Sequence, residues 1–126
     1  MCDSDLCKTR TDFLRVKTER NPGALVFWFT ATWCGPCKTV APVLAKYANM
    51  FARTTPHIRI IRVDVDECMD TYSFMRSRRM VDGVPTLLCY GAENGGIAPD
   101  CAVSGGNINN VHAFFDRVQA IARPAK

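Results

Sequence analysis

The seven residues from Ala24 to Thr30, ALVFWFT, form an unbroken apolar and aromatic run that leads through Ala31, Thr32 and Trp33 into Cys34-Gly35-Pro36-Cys37. The run is too short for an ordinary helix and does not alternate, which marks a strand buried on both faces, of the kind found inside a helix-covered sheet. A turn signal, Asn21-Pro22-Gly23, sets its start. Beyond Cys37 the apolar residues Val40, Val43, Leu44, Tyr47, Ala48 and Phe51 recur at helical spacing, with Pro42 expected to kink that helix rather than end it. A central strand therefore runs into a helix, with Cys34 at the junction, where backbone N–H groups are free.

The remaining segments extend this pattern. His57 to Asp66 (HIRIIRVDVD) alternates as a second strand, and Met69 to Arg79 (MDTYSFMRSRR) reads as a helix. Val84 to Tyr90 is a third strand, GAENGG a hairpin turn, and Ile97 to Val103 a fourth strand. Pro99 cannot donate to a ladder, so the fourth strand belongs at a sheet edge. Val111, Phe114, Phe115, Val118 and Ile121 line one side of a closing helix over Ile108 to Ala122. Near the start, Leu6 to Thr9 is expected as a short strand and Thr11 to Arg20 as a helix. Strand, helix, strand, helix, hairpin and helix imply a mixed sheet with helices on both faces.

Composition narrows the classes. With 126 residues, 48% of them hydrophobic, and no linker-like stretch, a single domain over residues 1–126 is expected. No run reaches the ~18 apolar residues of a membrane span, and MCDSDLCKTR is polar where a signal peptide carries its apolar segment. The expectation is a cytoplasmic protein without membrane attachment. The net charge of +4 is modest, and the arginines of RSRR (Arg76 to Arg79) have no aromatic residues between them. These residues fit a solvated helix face better than a nucleic-acid surface. Seven cysteines in a chain without an export signal point to a reducing compartment, where a disulfide serves catalysis or regulation.

Three chemistries use Cys-x-x-Cys. Structural zinc needs four ligands, and the two histidines, His57 and His112, are far apart with no second pair near them, so no metal is expected. An inert disulfide closing so short a loop would remove little chain entropy. Redox exchange accounts for both spacing and setting. At a helix N-terminus the Cys34 thiolate is stabilised by backbone N–H groups and the helix dipole, while Cys37, one turn further in, is shielded and placed to attack Cys34. Pro36 stiffens the loop, and Gly35 lets a substrate backbone come close.

ATWCGPCK at Ala31 to Lys38, followed by Ala41-Pro42, VDVDE and GVPT at Gly83 to Thr86, resembles the thioredoxin family. The resemblance implies the α/β thioredoxin fold, with a central mixed sheet and helices on both faces, and a protein disulfide reductase that needs no cofactor. Cys34 would be the nucleophile, Cys37 the resolving cysteine and Pro85 a cis-proline facing them. Substrate would lie across Trp33, Gly35, Pro36, Gly83, Val84, Pro85 and Gly105. Implied partners are protein disulfides and an electron donor, either thioredoxin reductase or a low-molecular-weight dithiol. A catalytically weak binding or adaptor module on the same fold is the alternative. A monomer is expected, with a disulfide-linked dimer as its oxidised form.

The chain departs from the family in two informative places. Trp28 stands where thioredoxins usually have a buried aspartate under the resolving cysteine, an aromatic substitution similar to tryparedoxins. The segment from Asp66 to Pro85 is longer than usual and carries Arg76, Arg78 and Arg79 toward the substrate surface. Of the other thiols, Cys68 resembles an extra cysteine of animal thioredoxins and is the regulatory candidate, expected at the exposed start of a helix. Cys89 is expected to be a small buried hydrophobe, and Cys2, Cys7 and Cys101 incidental.

Overall fold

The computed structural model describes residues 4–19 and 21–122. A 3-10 turn, Ser4–Cys7, precedes α1 (Arg10–Glu19), β1 (Ala24–Thr30), α2 (Gly35–Thr54), β2 (Ile58–Asp64), α3 (Met69–Ser77), β3 (Thr86–Gly91), β4 (Cys101–Ser104) and α4 (Ile108–Ile121). The sheet order is β2-β1-β3-β4, with β1 parallel to β2 and antiparallel to β3, and β3 antiparallel to β4. The sheet is mixed and β4 lies at an edge, with Pro99 just outside the strand.

Alternation along β1 divides the core in two. Leu25, Phe27 and Phe29 face Phe13 and Val16 of α1 and Phe74 and Met75 of α3. Ala24 and Val26 face Val40, Leu44 and Phe51 of α2 and Phe115 and Val118 of α4. Helices therefore cover both faces, and every residue of β1 except the half-buried Trp28 is buried. Burying Phe27 and Phe29 stabilises the fold by roughly 2–3 kcal/mol each. The long helix α2 continues through Pro42 to Thr54 and carries the Cys-x-x-Cys sequence at its first turn.

β2 ends at Asp64 and β3 begins at Thr86, each two residues inside the expected bound, and other segments differ in ways that side chains and backbone explain. No strand forms at Leu6 to Thr9. Thr9 instead caps α1, its Oγ1 accepting from the Asp12 N–H at 3.1 Å and its carbonyl from the Phe13 N–H at 2.9 Å, so the chain turns into a helix. The fourth strand begins at Cys101 rather than Ile97, because side chains take the backbone groups before it. The Ile97 carbonyl accepts from the Tyr90 hydroxyl, and the Ala98 carbonyl from Asn94 Nδ2. The helix expected to reach Arg79 stops at Ser77. Arg79 adopts φ +61°, Met80 N–H bonds the Met75 carbonyl and Arg79 N–H the Arg76 carbonyl, a Schellman ending with arginine in the usual glycine place.

Candidate functional site

The parallel pairing of β1 with β2 fixes where the cysteine pair emerges. β1 ends at Thr30, its carbonyl accepting from the Val65 N–H at 3.0 Å, and the chain rises over the end of the sheet before α2 begins. Cys34 is the N-cap of α2, in extended backbone conformation, and its sulfur accepts from the Cys37 N–H at 3.2 Å. Pro36 sits in the first helical turn, where its missing N–H costs nothing. Cys34 and Cys37 are joined as a disulfide with their Cα atoms 5.2 Å apart. Cys34 is 5% and Cys37 2% exposed, so the second residue is the more deeply buried.

The other side of the site comes from the loop before β3. Gly83 has φ +106°, a conformation that a side chain rarely adopts, and the Val84–Pro85 peptide bond is cis, as the resemblance implied. The Val84 carbonyl oxygen lies 3.6 Å from Cys34 Sγ. Gly105, with φ +93°, donates its N–H to the Pro85 carbonyl at 3.0 Å and so ties the end of β4 to this loop. Trp33 is 66% exposed, and its indole N–H donates to Asp66 Oδ2 at 2.9 Å. Gly35 and Pro36 are exposed beside it. Cys34, Cys37, Trp33, Gly35, Pro36, Val84, Pro85 and Gly105 thus form one end of the molecule. A sulfur at a helix N-terminus with a shielded partner one turn away can cycle between dithiol and disulfide.

A sequence model of the Thioredoxin family matches residues 7–114. The chain belongs to the thioredoxin family. It is 31% identical over 104 residues to thioredoxin Asp f 28 of Aspergillus fumigatus, covering 82% of this chain and 86% of that protein. With the mitochondrial thioredoxin O1 of Arabidopsis thaliana it shares 33% identity over 84 residues, 65% of this chain and 40% of the relative. The chain thus spans about two fifths of the length of some curated thioredoxins that it matches. The fold superposes on the thioredoxin of Fasciola hepatica with a TM-score of 0.69 at 23% identity, covering 91% of this chain and 96% of the other.

Sequence reasoning missed Gly106. A Cβ there would stand 3.0 Å from the Cβ of Pro36, so the absence of a side chain lets the β4–α4 turn close on the thioredoxin loop. No local signal marks this, since Gly105 beside it is equally plausible by sequence alone. Cys68 is also placed differently from expectation. It precedes α3 as its N-cap but is fully buried, because the turn from Asp64 folds it against the core; an accessible thiol for linking two copies is not presented there. Cys2 lies outside the described residues. Arg76, Arg78 and Arg79 are exposed, with the guanidinium groups of Arg76 and Arg78 over Tyr72 and Phe74 at 5.6 and 5.5 Å.

Trp28 lies under the pair. A groove of about 340 Å³ is lined by Trp28, Thr30, Thr32, Cys37, Lys38 and Arg62 among others, and among the described residues no carboxylate is in its wall. The Arg62 guanidinium stands over the Trp28 ring at 5.7 Å. The indole N–H of Trp28 is buried with no hydrogen-bond partner among the described residues. An apolar ring and two cationic side chains thus occupy the approach to Cys37 from below.

Proposed function

We propose that this chain is a thiol–disulfide oxidoreductase that reduces protein disulfides through Cys34 and Cys37. The observation that carries the reading is Cys34 as N-cap of α2, its sulfur held by the Cys37 N–H and facing the Val84 carbonyl. The Cys34 thiolate attacks one sulfur of a client disulfide, forming a mixed disulfide and expelling the first client thiolate. The Cys37 thiolate then attacks Cys34, closing the Cys34–Cys37 bond and expelling the second client thiolate. Both leaving thiolates take protons from water. A donor dithiol restores the pair by the reverse exchange, and either a thioredoxin reductase or a low-molecular-weight dithiol has the required chemistry.

The client backbone would lie across Trp33, Val84, Pro85 and Gly105, with the half-buried Gly83 and Val84 alongside it. A reducing compartment such as the cytoplasm suits the dithiol state, and the chain acts as a monomer. Insulin reduction driven by dithiothreitol tests the activity. The wild-type chain accelerates precipitation of the insulin B chain well above the uncatalysed rate, and Cys34→Ser abolishes the acceleration. A wild-type rate equal to the uncatalysed one would favour a binding or adaptor module on the same fold.

A further inference from the structure

Two cysteines that the site does not use, Cys89 of β3 and Cys101 of β4, are cross-strand partners in the antiparallel ladder. The Asp100 N–H donates to the Cys89 carbonyl at 2.8 Å and holds the strands at this register. Residues opposite each other in such a ladder project to the same face with Cα atoms about 4.5–5.5 Å apart, inside the ~4.4–6.8 Å range of disulfides. Both side chains belong to the same buried cluster, under α2 and α4, and both are reduced thiols. We infer that Cys89 and Cys101 form a second dithiol site, closed reversibly to a cross-strand disulfide by a low-molecular-weight disulfide such as oxidised glutathione.

The two thiols are not equivalent. Cys101 is 4% exposed and lies on β4, the edge strand of the described sheet, whereas Cys89 is fully buried between β1 and β4. Hydrogen bonding between the pair lowers the Cys101 thiol, with Arg117 of α4 acting in the same direction against burial and Asp100. The same hydrogen bond raises the Cys89 thiol, and burial and Asp100 add to the rise. Cys101 is therefore the first nucleophile. Its thiolate attacks oxidised glutathione, giving a Cys101–glutathione mixed disulfide and one glutathione thiolate. The Cys89 thiol gives its proton to the departed glutathione thiolate and attacks the Cys101 sulfur, forming Cys89–Cys101 and releasing the second glutathione, which takes the proton lost by Cys101 from water. In sum, one dithiol and one glutathione disulfide give one protein disulfide and two glutathione thiols. The step is slower than closure of the Cys34–Cys37 pair, because β4 must open locally to admit the reagent.

The sequence makes the two sites separately readable. Trypsin releases Cys89 and Cys101 on one peptide, Met80 to Arg117, with no Lys or Arg between, and Cys34 and Cys37 on another, Asn21 to Lys38. The full chain is incubated with oxidised and reduced glutathione at graded ratios, quenched in acid, alkylated, digested and weighed. The expected result is a Met80–Arg117 peptide lighter by two hydrogens that accepts no alkyl group until dithiothreitol is added and two afterwards. Cys89→Ala should stop the same reaction at a single glutathione adduct on Cys101. The inference is overturned if the peptide takes two alkyl groups at every ratio, if Cys101 keeps one glutathione in the wild type, or if Cys89 or Cys101 is found linked to another cysteine. Closure on the Asn21–Lys38 peptide is scored independently, so failure of the second site is not confused with failure of the first.

Discussion

At the scale of single residues, the question is what Trp28 does beneath Cys37. In a site with a buried carboxylate beside the thiols, the ionisations interact and titrate in coupled steps. Here the groove under Cys37 holds an indole, two threonines, Lys38 and Arg62, and among the described residues its wall contains no acid. The Cys34 thiolate in a Cys37→Ser variant should therefore titrate in a single step, below an ordinary cysteine because the α2 N-terminus favours the anion. Trp28→Asp in the same background should split the curve in two. Replacing the half-buried ring costs up to ~3–5 kcal/mol, so the variant's folding is checked first by circular dichroism. Thiolate absorbance against pH makes the measurement, and two clear steps with Trp28 in place would show that another acid acts on the pair.

At the scale of elements, α1 is tied to α3 by Arg10 and Asp70. The Arg10 backbone N–H donates to Asp70 Oδ2 at 2.7 Å, and its guanidinium to Oδ1 at 2.8 Å, while the same guanidinium stands over Phe74 at 5.0 Å. Hydrogen bonds from Arg10, first from its side chain and then from its backbone, hold the Asp70 carboxyl below the usual aspartate range. The sign follows from linkage: with the folded value depressed, the contribution is present above the unfolded value and is lost as pH falls through the folded one. Asp70→Asn should lower Tm modestly near neutral pH, since the pair is exposed and screened. The gap to wild type should close as pH drops below about 3.9, the ordinary aspartate value. Thermal melts across that range decide it, and a gap independent of pH would mean that the carboxylate charge plays no part in joining the helices.

At the scale of the whole molecule, what the sequence discloses follows the range of the interaction. β1 is legible because its unbroken apolar run is local, α2 because its helical periodicity is, and Cys34 and Cys37 because two thiols one helical turn apart define a chemistry wherever they occur. The Leu6–Thr9 segment is misleading because one hydroxyl, Thr9 Oγ1, decides the start of α1, and the early part of the fourth strand because the side chains of Tyr90 and Asn94 take its carbonyls, which apolar patterning does not show. Gly106 against Pro36 and Cys89 opposite Cys101 depend on sheet register, which no local pattern encodes. These contacts produce a division of labour: Cys34, capping α2, attacks, and Cys37, more deeply buried, resolves. The most direct measurement is capture of mixed disulfides with a protein disulfide client, resolved on non-reducing gels. Cys37→Ser should accumulate a covalent complex that dithiothreitol releases, and Cys34→Ser should capture almost none. Equal capture by the two variants, or capture by Cys34→Ser alone, would contradict it.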